Sequence, residues 1–73
     1  MALALLQAID AGTFRAEVAR ALAVEVLRAF PPDDPAWTRA VAVLEGGAQR
    51  VRHAVELCGL VLDGDEAGAA GAG

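Results

Sequence analysis

Five consecutive residues, Pro31-Pro32-Asp33-Asp34-Pro35, constrain this chain more than any other stretch. Proline lacks a backbone N–H, holds φ near its helical value and clashes with the preceding turn, so prolines this closely spaced cannot lie inside a helix. The two aspartates between them form turns by bonding nearby backbone amides. On either side lie flanks of nearly equal length, 2–30 and 35–62, dominated by alanine, leucine, valine and other good helix residues. The pattern predicts an all-α chain folded back on a hinge at 31–34.

In the first flank Leu5, Ile9, Gly12, Ala16, Ala19, Ala23, Val26 and Phe30 alternate at four- and three-residue spacing, which places them on one helical face. Val18, Leu22 and Leu27 widen that face. The second flank opens with Asp34, a favoured N-cap, and Pro35 at the first helical position, where its missing N–H costs nothing. Trp37, Val41, Leu44, Ala48, Val51, Val55, Cys58 and Leu62 then form a coiled-coil-like stripe beside a second row of Ala40, Val43, Gly47, Ala54, Leu57 and Val61. The bulky members of the first stripe are expected to carry the packing.

Two points interrupt the helical reading. Gly12 can end a helix and Thr13 can cap the next, although Ala16 leaves Thr13 without a capping box. Gly46-Gly47 costs about 2 kcal/mol relative to alanines inside a helix. The favoured expectation is an antiparallel hairpin of two long helices, 2–30 and 35–62, associating into a helical bundle. The alternative is a compact monomer of four short helices with corners at Gly12, at the prolines and at Gly46-Gly47. The tail 63–73, with Asp63, Asp65 and Glu66 followed by alanine and glycine, is expected to be disordered.

The hairpin expectation carries a consequence for assembly. Two long helices that meet along one stripe leave the rest of each apolar arc uncovered, so a homo-oligomer, a dimer or higher, or a place in a larger protein complex is expected. The expected interface comprises Val18, Leu22, Val26, Phe30, Trp37, Val41, Val43, Leu44, Val51, Val55, Leu57 and Val61. The net charge of −4 does not oppose such contact. Asp33, Asp34 and the tail acids account for half of the acidic residues, and the arms, with Asp10, Glu17, Glu25, Glu45 and Glu56 against six arginines, are nearly neutral. Glu17 with Arg20, Glu25 with Arg28, and Arg52 with Glu56 are spaced to pair along their helices.

Little in the chain suits catalysis. Serine, asparagine, lysine and tyrosine are absent, and Thr13 and Thr38 carry the only side-chain hydroxyls. Serine nucleophiles, Schiff-base lysines and the lysine of phosphate-binding loops are thereby excluded. His53 and Cys58 are single and five residues apart, on different helical faces, with no further histidine or cysteine to complete a metal site. His53 is read as a solvated helix residue and Cys58 as a small core residue. The sequence therefore offers no catalytic, cofactor-binding or metal-binding residue, and no cofactor is expected.

A lone cysteine cannot form an internal disulfide and fits a reducing, cytoplasmic setting. The apolar start Met1-Ala2-Leu3-Ala4-Leu5-Leu6 has no basic segment ahead of it, and no charge-free window reaches the roughly 18 residues of a membrane span. The arginine-only basic set and the wealth of alanine, glycine and valine suggest a GC-rich bacterial coding sequence. Arg39, Arg50, Arg52 and His53 form the one basic cluster that could meet nucleic acid, a reading weakened by the acidic balance and the lack of lysine. The resulting expectation is a non-catalytic helical self-assembly or docking protein. A small regulator that binds nucleic acid or a partner helix is the alternative.

Overall fold

The hinge forms as its residues require. Phe30, ahead of a proline, leaves the helix in an extended conformation (φ −107°, ψ 147°). A turn then closes from the amide of Asp34 to the carbonyl of Pro31 at 3.0 Å. The Asp34 carboxylate accepts from the amide of Ala36 at 2.8 Å, and Pro35 occupies the first turn of the following helix. Both flanks of that hinge are broken, however. The computed structural model describes the backbone of residues 1–72 and the side chains of 1–63, so the expected disorder of 63–73 falls almost wholly outside the residues described in full. Within the described range there are four helices and no strand: α1 (Ala2–Asp10), α2 (Ala16–Ala29), α3 (Pro35–Glu45) and α4 (Arg50–Ala72).

The two-helix hairpin is thus corrected to the four-helix alternative, and the glycines are where the correction occurs. Gly12, Gly46 and Gly47 are the described residues with positive φ, at 80°, 76° and 88°. At the end of α1 the amide of Gly12 bonds the carbonyl of Ile9, and the amide of Thr13 reaches back to Ala8 at 2.8 Å. This is a Schellman motif, in which glycine takes the left-handed position without a Cβ penalty. Thr13 does not cap α2 as expected. Its hydroxyl donates backwards to the same Ala8 carbonyl at 3.0 Å, and α2 begins at Ala16 with Arg15 at the N-cap position and no side-chain cap.

Consecutive helices are neighbours, and the last returns to the first. α3 packs against both α2 and α4, α4 also packs against α1, and α1 touches α2. The core consists of Ala2 and Leu5 of α1, Ala19, Leu22, Ala23 and Val26 of α2, Ala36, Ala40 and Val43 of α3, and Ala54, Leu57 and Cys58 of α4. Half of these are alanines, which lets helix axes approach closely but buries little apolar area per residue. Leu5 and Leu57 are the largest hydrocarbon side chains almost wholly enclosed. Ile9, Phe14, Leu27, Leu60 and other half-buried side chains pack around this centre.

The face that α2 buries agrees with the sequence reading, because Ala19, Ala23 and Val26 lie on the expected seam. The second flank follows its expected stripe only in part: Cys58 is buried, and Leu44 and Leu62 pack half-buried on the core. The buried row is the one expected to be secondary, Ala40, Val43, Ala54 and Leu57, whereas Val51 and Val55 remain exposed and Trp37 and Val41 half-buried. α3 lies between two neighbours, and a helix in that position needs small residues on its inward face, so the bulky stripe is displaced outward.

Candidate functional sites

Three places in the described residues hold side chains that could act on something outside the fold. The first joins α3 to α4 through charge. Arg39 Nη1 lies 2.9 Å from Glu56 Oε2 and 3.0 Å from His53 Nδ1, while Arg52 Nε lies 3.3 Å from Glu56 Oε1. The contact of Arg39 with Oε2 is an ion pair by proximity, too poorly aligned to satisfy that buried oxygen with a hydrogen bond. A guanidinium only donates, so His53 Nδ1 is the acceptor here and the ring proton sits on Nε2. His53 is therefore half-buried and engaged, which corrects its reading as a solvated residue.

That network also draws in part of the basic cluster. Arg39 and Arg52 share the carboxylate of Glu56, and Arg50 turns elsewhere, its guanidinium carbon 5.9 Å from the centre of the Phe14 ring. Two of the three arginines of that cluster are thus within ion-pair distance of a carboxylate, and the third lies over an aromatic ring. Among the described residues, no group of three or more histidine, cysteine or acidic side chains is arranged to hold a metal ion. Cys58 is fully enclosed; burial pushes its thiol above the ordinary value, partly opposed by the positive N-terminus. A protonated thiol in the core packs as a small apolar group.

The second place is a cleft at the end of the bundle where the α1–α2 and α3–α4 corners meet, a proximity that the stacking of Arg50 on Phe14 also records. Its volume is about 250 Å³. Ala19 and Val43 form a buried floor, Phe14 and Leu44 form half-buried walls, and Arg20, Glu45 and Arg50 stand exposed at the rim. Gly46 lines it too, so the glycine corner that reverses the chain also brings Glu45 and Arg50 to one opening.

The rim is not paired internally. Arg15 bonds Glu17 at 2.8 Å, so the expected Glu17–Arg20 pair does not form, and Arg28 sits 3.9 Å from Glu25. Among the described residues, Arg20 and Arg50 have no carboxylate within ion-pair distance, and both line this cleft. Sequence reasoning missed the site. One sign was legible: Arg50 has no acidic residue three or four positions away on either side.

The third place is the apolar surface around α1 and α4. Met1 and Leu3 are 61% and 54% exposed, and Val51 and Val55, one turn apart on α4, are each 38% exposed. Of the twelve side chains expected at an inter-chain interface, Leu22, Val26, Val43 and Leu57 are buried inside the single chain. Val18, Phe30, Leu44 and Val61 are half-buried against that core, and Trp37 and Val41 are half-buried. Closing four helices on one another covers rows that a two-helix hairpin would leave open. Only Val51 and Val55 of the expected set stay exposed.

Compared with protein-family models, with curated proteins and with solved structures, the chain matches none of them. Among the described residues, no helix is long and apolar enough to cross a membrane.

Proposed function

We propose that this chain is a small non-catalytic docking unit that associates by helix packing, with a second copy of itself as the first partner. The observation that carries the reading is the exposure of Val51 and Val55 on α4, which packs against α1, together with that of Leu3 on α1 and of Met1 just before it. α1 has a single charged side chain, Asp10 in its last turn, so little side-chain charge on α1 opposes the meeting of like faces across a two-fold axis. The contact differs from the one a hairpin would make, because most of the hairpin's surplus surface is internal here.

The reading is tested by light scattering across a concentration series reaching about 1 mM, where even a weak dimer would populate. The wild-type mass is expected to rise towards twice that of the monomer. Val51→Glu/Val55→Glu should stay monomeric with an unchanged helical spectrum, since neither valine belongs to the core. A wild-type chain that remains monomeric throughout would rule out self-association through this face.

A further inference from the structure

We infer that the cleft between Phe14 and Leu44 is a binding site for a small monocarboxylate with an apolar body, held at its acid end by Arg20 and Arg50. Among the described residues, four of the six arginines lie within ion-pair distance of a carboxylate, and the two that do not come from different helices to the same opening. Convergence of both unpaired ones on the cleft is the observation that singles it out.

The chemistry of the opening sets the class of ligand. A guanidinium presents a planar fork of donors that matches a carboxylate, and Arg50 is steadied by its position over the Phe14 ring. Glu45 at the same rim subtracts one charge, leaving a net of one positive charge to be met by one negative charge. A monoanion balances it, whereas a dianion would sit against Glu45 uncompensated. Below the rim the side chains of Phe14, Ala19, Val43 and Leu44 are hydrocarbon, and the cleft of about 250 Å³ receives the apolar part of a small ligand. An aryl- or alkyl-substituted short acid fits both halves.

The test is a nitrogen–proton NMR titration of the full chain with 3-phenylpropionate, and with 3-phenylpropanamide as its uncharged counterpart, at constant ionic strength. The acid should bind saturably with a dissociation constant on the order of 1 mM, the range a fragment of this size reaches. The Gly46 and Arg50 amides should shift most, and the amide compound should bind about tenfold more weakly. Arg20→Ala, whose side chain is exposed and makes no ion pair among the described residues, should weaken the acid about tenfold with the fold intact. Glu45→Gln should tighten it severalfold by removing the opposing charge. Equal binding of acid and amide, shifts centred away from the cleft, or no saturation would each overturn the assignment.

Discussion

The corner at 31–35 and the corner at 46–49 each reverse the chain between two helices, by opposite means. At the first, prolines forbid a helix, the residue before them is forced extended, and an aspartate caps the helix that follows. At the second, nothing is forbidden. Gly46 and Gly47 take φ values of 76° and 88° that other residues adopt at a cost, yet a Cβ on either would meet nothing within 4 Å. Crowding is therefore not the reason for glycine there; backbone conformation is. One corner is imposed by covalent structure and the other is only allowed by it.

The sharpest way to break that contrast is Gly46→Ala/Gly47→Ala. Each alanine should cost the present corner about 1–3 kcal/mol and favour a continued helix by about 1 kcal/mol. A domain of this size has only several kcal/mol of stability in total. The double variant is expected to straighten α3 into α4, open the core and pair with a second chain. Small-angle scattering would then give a radius of gyration well above the present 11.9 Å, together with a doubled mass. A compact monomer that is merely less stable would show that packing, not glycine, holds the reversal.

Asp34→Ala probes the imposed corner and should have a smaller effect. Loss of the 2.8 Å bond to the Ala36 amide removes a cap worth about 1 kcal/mol, but the prolines keep the turn in place. The melting midpoint should fall by about 4–8 °C with the scattering profile unchanged. A change of shape would mean that the cap, not the prolines, decides the reversal.

Gly59→Ala provides the smallest effect, with the opposite sign. This glycine lies within α4 without a positive φ, and a Cβ there would also meet nothing within 4 Å. The substitution should stabilise the chain by about 0.5–1 kcal/mol, seen as a higher denaturation midpoint. Destabilisation would show that the open space around Gly59 is needed by something else.

These corners also explain which parts of the fold could be read in advance. The hinge, the Asp34 cap and the α2 face of Ala19, Ala23 and Val26 follow from patterns a few residues long, and they are present as expected. The second flank was misread because a stripe through Trp37, Val41, Val51 and Val55 is continuous only if the helix is continuous. Once Gly46-Gly47 breaks it, α3 and α4 choose their faces separately, and the smaller residues turn inward. The cleft was illegible for the same reason: Phe14 and Arg20 are far in sequence from Leu44 and Arg50, and the two pairs meet only when two glycine corners lie at one end of the bundle.

Local covalent rules were sufficient to dictate helices, one hinge and a chain poor in catalytic groups, because proline geometry, capping and composition act within a few residues. Whether the chain turned at Gly12 and Gly46-Gly47 was not dictated locally, because a glycine permits a left-handed corner without requiring one and changes the cost of breaking a helix by only about 1 kcal/mol. With the glycine corners made, contacts across the bundle decided which valines stay outside and which arginines line one cleft.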